Sequence, residues 1–397
     1  MKLAERSGWI APSATMAMDT AAKEMVRRGI DVISFGVGEP DFDTPENVKQ
    51  AAVKAIEAGR TKYTPAGGIH ELKVAIQQKL ARDNGLEYGL DQIVVTVGAK
   101  HALYNLAQVL LDPGDEVIVP APYWVSYVEQ VRVTGAVPVV VQTRGENGFR
   151  LTAEEFRRAI TPRTKALILN SPSNPTGAVY RREHLEALAE VAVEHGIAVI
   201  SDEIYEPFIY GGAQHVSIAS LGPEIKALTL VVNGVSKSHA MTGWRIGFIA
   251  GDSRVIKAVT SLQSHSVSNP TSIAQYAAIE ALTGPQEPVQ RMVAEFARRR
   301  EYLVQRLRAL PGVECDMPEG AFYVFPKISA VFGKSLGGRK VTDSASLCQL
   351  LLEEGHVSVV PGSAFGAEGY MRLSYATSME NLEKGMDRIE RVWNALA

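Results

Sequence analysis

From about residue 90 the chain alternates short β-branched runs with stretches whose apolar residues recur at helical spacing. IVVTV (93–97) precedes KHALYNLAQVLL, the turn DPGD leads into EVIVPAP, and VPVVVQ comes after another helical stretch. TAEEFRRAI opens with Thr152 and, three residues on, Glu155, the pattern of a capping box. KALILN, HLEALAEVAVEHG and IAVISDE repeat the alternation, and LTLVVNG and RIGFIAG close it. Strand, helix, strand at this spacing predicts an α/β fold with a mainly parallel sheet covered on both faces. Ligands of such sheets sit at the carboxyl ends of the strands.

After Asp252 the pattern is helical up to Leu310, where Pro311 and Gly312 end it. Beyond them lies a second α+β region: GAFYVFPKI, the helical SASLCQLLLEEG, VSVVPGSAF, YMRLSYA and a final helix. We therefore expect a large domain over residues 46–290 and a smaller one over 291–397, joined by the N-terminal segment 1–45.

Composition narrows the classes. The 397 residues are 46% hydrophobic and 21% charged, ordinary for a globular protein. A net charge of −3 gives no field favouring nucleic acid or an anionic membrane. Cys315 and Cys348 cannot build a disulfide framework or a four-thiolate zinc site, and read as buried thiols of a reducing compartment. The N-terminus lacks an apolar signal core, and no run reaches the roughly 20 apolar residues of a membrane helix. These features predict a cytoplasmic protein.

Several familiar motifs fail. GVGEP (36–40) begins like a dinucleotide fingerprint, but Asp41 stands in place of the third glycine. FGKS lacks the upstream glycine of a phosphate loop, and GVSKS has Ser238 where a nucleophile elbow needs glycine. The eight histidines show no paired metal spacing, so no metal is expected.

What remains is a set of polar residues just after buried strands. KALILN runs into SPSNPTG with Asn174, IAVISDEIY carries Asp202 and Tyr205, and LTLVVNGVSK carries Lys237. In a parallel sheet these gather at one edge. Buried charges are costly unless partnered, so their recurrence at three strand ends points to a site. A buried lysine of lowered pKa forms a Schiff base with an aldehyde, the use made of it by pyridoxal 5′-phosphate. An acidic partner such as Asp202 would hold the pyridine nitrogen protonated. VTVGAKHAL offers an anion site at Gly98, Ala99 and Lys100, where a helix begins, and Arg245 can add a two-pronged contact.

These residues resemble the fold-type I pyridoxal-phosphate enzymes, and within them the class-I aminotransferases near the bacterial aspartate and prephenate group. GVSKSHAMTGWRIG (234–247) matches the family's lysine signature, and NPTG, SDEIY, RLSYA, GEPDFDTP and KYTPAGG match its other motifs in order. The resemblance implies a seven-stranded sheet between helices and a smaller α+β domain. It implies Lys237 as the lysine that condenses with the cofactor and shuttles a proton. Asp202 would pair with the pyridine nitrogen, Tyr205 and Asn174 with the ring's 3′ oxygen, and Trp124 would stack on the ring. Gly98, Ala99, Ser236 and Arg245 would hold the phosphate; Gly234 departs from the hydroxyl residue many relatives carry there. Arg372 would grip the substrate α-carboxylate with Asn174 and the backbone of Gly38, although an arginine in RLSYA otherwise reads as an edge-strand surface charge. Tyr63 would reach the phosphate of a neighbouring subunit, which implies a homodimer with shared sites.

For the distal carboxylate of a dicarboxylic substrate, SHSVSNPTS (264–272) supplies no cation. The resemblance assigns the task to Lys100 with Ser13 and Thr15, implying aspartate with 2-oxoglutarate and additionally prephenate as substrates. Alanine, aromatic amino acids, or a lyase reaction on the same fold stay open as alternatives.

Overall fold

The computed structural model describes residues 1–11 and 14–397, without the side chains of Ala14 and Thr15; the expected Ser13 and Thr15 pair lies outside the described residues. The alternating runs form one seven-stranded sheet. Its strands are β1 (Ile93–Thr96), β2 (Glu116–Ala121), β3 (Val137–Gln142), β4 (Thr164–Asn170), β5 (Ala198–Asp202), β6 (Thr229–Gly234) and β7 (Gly247–Ala250). Across the sheet they run β1-β7-β6-β5-β4-β2-β3, and only β7 is antiparallel to its neighbours.

The two faces obey the period of two that a pleated strand imposes. Val94, Leu230, Val232 and Ile249 join one core, packed by helices Ala99–Leu110, Ser126–Arg132 and Ser253–Ser266. Ile93, Val95, Val231, Phe248 and Ala250 turn the other way, onto helices Glu46–Glu57, His70–Asn84 and Ser272–Thr283. The Thr152 and Glu155 pattern makes a full capping box on helix Ala153–Ala159.

A separate core surrounds Phe296, Phe322, Tyr323 and Tyr375, and draws in Ile33 and Phe35 from the N-terminal segment. Strand Ile33–Ser34 pairs in parallel with Val357–Ser358, while Met371–Ser374 lies between Val360–Pro361 and Tyr323–Val324 in an antiparallel sheet. Arg372 is therefore on a middle strand and 3% exposed, not on a solvated edge. Residue 291 falls inside helix Glu287–Arg308, which runs on into this core. That helix anchors GEPDFDTP: Arg299 pairs with Asp41 at 2.7 Å, and Phe42 meets Phe296 edge-on at 5.7 Å. Cys315 and Cys348 are buried and unpaired. Among the described residues no helix is long and apolar enough to cross a membrane.

Backbone passes close to backbone where β7 begins. A Cβ on Gly247 would lie 2.5 Å from the Ala99 nitrogen and 2.6 Å from the Gly98 carbonyl carbon. Gly247→Ala is expected to cost about 1–3 kcal/mol, the usual penalty of overpacking against backbone. Gly243→Ala, with nothing within 4 Å of its added Cβ, should cost far less. Calorimetric melting of the two variants checks the contrast.

Candidate active site

The sheet register sets the geometry. Thr96 on β1 and Gly234 on β6 both pair with Gly247 on β7, forming one row at the sheet edge. Gly98, Ser236 and Arg245 each lie two residues beyond that row. Because β7 runs backwards, the residues before it sit where β1 and β6 end. Gly98 caps helix Ala99–Leu110 with φ of 81°, a conformation that favours glycine. A Cβ there would collide with the Arg245 guanidinium. Arg245 donates to the carbonyls of Thr242 (2.8 Å) and Val97 (3.2 Å). Among the described residues no carboxylate lies within 4.0 Å of it. A helix N-terminus facing an arginine without a counter-ion is a receptor for an anion such as phosphate.

A second row, Asn170 on β4, Asp202 on β5 and Val232 on β6, lies deeper. Asp202 is buried; its Oδ2 accepts from the Tyr127 hydroxyl at 2.7 Å and its Oδ1 from the Ile204 amide at 3.3 Å. Burial pushes its carboxyl up to about 6. Burial pulls the Lys237 amine down to about 8, and its Nζ donates to the Gly38 carbonyl at 2.6 Å. Asn170 ties the row to the next loop, donating to the Asp202 carbonyl at 2.9 Å and accepting from the Asn174 amide at 2.9 Å.

Arg372 closes the opposite side. Its guanidinium donates to Asn174 Oδ1 at 2.9 Å and to the Gly36 carbonyl at 2.6 Å, while its Nε has no partner. The Gly38 carbonyl is thus held by Lys237, and Gly38 lines the cavity beside Gly36. Arg372 too has no carboxylate within 4.0 Å among the described residues. A buried guanidinium without an anion is costly, which leaves Arg372 able to take an anionic partner. Tyr323 stacks beneath it at 4.5 Å and shares a 2.8 Å hydrogen bond with Tyr205.

These groups surround one cavity of about 520 Å³. Of the residues expected from sequence, Lys237, Asp202, Tyr205, Asn174, Trp124, Ala99, Lys100, Ser236, Arg245, Arg372 and Gly38 line it. Gly98 lies just behind Ala99, and Tyr63, 89% exposed, stands outside. The Lys100 ammonium is at the rim, 4.9 Å from the Trp124 ring centre. Tyr127, Tyr323, Asn170, Glu39 and Thr242 also line the cavity and went unrecognised in the sequence. Only Tyr127 carried a local signal, one helical turn after Trp124.

Behind Asp202, Glu203, Glu206 and His215 could together offer ligands to a metal ion. Lys79 already pairs with Glu206, and the His215 Nε2 lies 3.2 Å from Glu203, so these groups are engaged by the protein itself.

The model of the family "aminotransferase class I and II" matches residues 30–389. The chain is 55% identical to the aspartate aminotransferase of Geobacillus stearothermophilus, over 100% of both chains. It is 51% identical to the aspartate/prephenate aminotransferase of Cereibacter sphaeroides, over 96% of each. The solved aspartate aminotransferase of Rhizobium meliloti superposes with a TM-score of 0.97 at 46% identity, covering 100% of both chains. Agreement of this extent in sequence and fold identifies the chain as a member of the class I and II aminotransferases.

Proposed function

We propose that this aminotransferase exchanges the amino group between L-aspartate and 2-oxoglutarate, with pyridoxal 5′-phosphate as cofactor and prephenate as a further substrate. The observation that carries the reading is the donor set of the cavity. It joins a neutralisable amine, a buried carboxylate, an anion cup and a buried guanidinium lacking a counter-ion. That set fits the cofactor: Arg245, Ser236 and the helix start at Gly98 and Ala99 would hold its phosphate, and Asp202 its ring nitrogen. Tyr205 and Asn174 would hold its ring oxygen and Trp124 would cover its face. When bound, pyridoxal 5′-phosphate supplies an aldehyde that condenses with primary amines and a ring that withdraws electrons from the adjoining carbon. Lys237 Nζ would be the amine that holds that aldehyde, and as a free amine it would carry the proton at the substrate Cα. Arg372 and Asn174 bind the α-carboxylate and fix which bond at Cα is aligned for cleavage.

For the distal carboxylate the supporting features are Lys100 at the rim, unpaired with any carboxylate among the described residues, and the names of the matched relatives. Ser13 and Thr15 are proposed to assist it. Tyr63, exposed and outside its own cavity, is proposed to serve a neighbouring subunit's phosphate in a homodimer. Segments 1–45 and 291–397 are proposed to form a small domain around the large one of 46–290, a reading the Ile33–Ser34 pairing supports. Cytoplasmic residence suits the two unpaired thiols.

A panel of amino donors against 2-oxoglutarate, scored by glutamate formation, tests the whole reading; ammonia release instead of glutamate would identify a lyase. Lys237→Ala is expected to abolish sustained transamination, and wild-type turnover in that variant would remove the mechanism. Apo-protein should take up pyridoxal phosphate faster as pH rises through about 8, because the reactive amine is neutral only above that value. A flat rate across that range contradicts the assignment. Lys100→Ala should lower kcat/KM for aspartate by about 100-fold, the loss of one desolvated charge pair, while alanine turnover changes little. Equal losses for both amino acids would count against Lys100 as the distal-carboxylate ligand.

A further inference from the structure

We propose that Tyr127 is a positioning residue that holds the Asp202 carboxylate ionised and aimed at the cofactor nitrogen. This rests on the pyridoxal-phosphate reading and adds to it a group that none of the matched motifs contains.

Asp202 is pinned at two levels. Its main chain is fixed by β4 and the loop beyond it: the Asp202 carbonyl accepts from Asn170 Nδ2 at 2.9 Å and from the Ser171 amide at 3.2 Å. Nothing in that pairing fixes the rotation of the side chain. The carboxylate has two protein donors among the described residues: a long one from the Ile204 amide at 3.3 Å and a short one from Tyr127 at 2.7 Å. Tyr127 is 2% exposed, and Asp202 is the partner of its hydroxyl. The phenol therefore sets the carboxylate plane. It also opposes desolvation, because a donor to the charged form favours that form.

Its place in the chain sharpens the argument. Tyr127 and Trp124 are three residues apart and meet edge-on at 5.4 Å between ring centres. One turn at the start of helix Ser126–Arg132 thus carries the ring that would cover the cofactor and the hydroxyl that steers its acidic partner. A tyrosine buried only for packing would have no need to point its hydroxyl at an ionisable group lining the cavity.

The test titrates wild type, Tyr127→Phe, Asp202→Asn and the double variant with pyridoxal 5′-phosphate. Binding is monitored by tryptophan quenching across the pH range in which Asp202 titrates. Tyr127→Phe should keep the wild-type circular dichroism yet bind about tenfold more weakly, as expected for losing one hydrogen bond to a charged group. The pH below which its affinity falls should move upward, since the unassisted carboxylate protonates sooner. In the double variant, loss of the hydroxyl should add little to Asp202→Asn, because the two act as a unit.

Unchanged affinity and pH profile in Tyr127→Phe, or losses that multiply in the double variant, would overturn the inference while leaving the cofactor assignment intact. A wild-type protein that takes up no cofactor overturns both. Should Tyr127→Phe fail to fold, 3-fluorotyrosine placed at position 127 decides the matter. Its more acidic hydroxyl should shift the affinity limit to lower pH, and no shift refutes the role.

Discussion

A single strand running against its neighbours organises the cavity. In a wholly parallel sheet, each strand delivers to the rim only the residues C-terminal to it, and Arg245 precedes its strand. Because β7 is antiparallel between β1 and β6, its start coincides with their ends. Lys237 and Arg245, eight residues apart, are thereby returned to the same edge after one tight excursion. The arrangement demands that backbone pass backbone with no side chain between, which is why glycines occupy both Gly98 and Gly247. The anion cup is thus a consequence of strand direction before it is a consequence of side-chain chemistry.

The charges around the cavity are kept apart from one another. Elsewhere on the molecule arginines find carboxylates readily, as Arg299 does with Asp41 and Glu295. Arg245 and Arg372 are instead held by neutral carbonyls and an amide oxygen. Neutral acceptors fix a guanidinium in direction without cancelling its charge, so its attraction remains available to a ligand. Burial acts in opposite senses on the two other ionisable groups, lifting Asp202 and lowering Lys237 toward each other. Such costs run against folding stability and are typical of sites shaped for chemistry.

Much of this was legible in the sequence, for identifiable reasons. The alternation of strand and helix, the capping box at Thr152 and the helix Ser344–Gly355 are local signals written within a dozen residues. Asn174, Asp202 and Lys237 could be gathered from sequence because parallel strands share an exit edge. The reversal of β7 left no such mark, since GFIA reads alike in either direction. Tyr323 meets Tyr205 from 118 residues away, and Tyr127 meets Asp202 from 75, distances over which side-chain pairing has no sequence period. That the Gly36 carbonyl accepts from Arg372 and the Gly38 carbonyl from Lys237 is a matter of which carbonyl a loop turns inward, which composition cannot specify. The burial of Arg372 was likewise invisible until its strand was found between two others.

The overhang of two residues past the Thr96, Gly247 and Gly234 row has an evolutionary consequence. The overhanging residues have left the strand conformation, with φ of 81° at Gly98 and 58° at Arg245, so adding or removing a single residue in either overhang would carry its group away from the others. Three separate chain segments are therefore locked to a common length. Insertions and deletions are excluded from these three short exits, as are side chains at Gly98 and Gly247, where an added Cβ would meet neighbouring atoms.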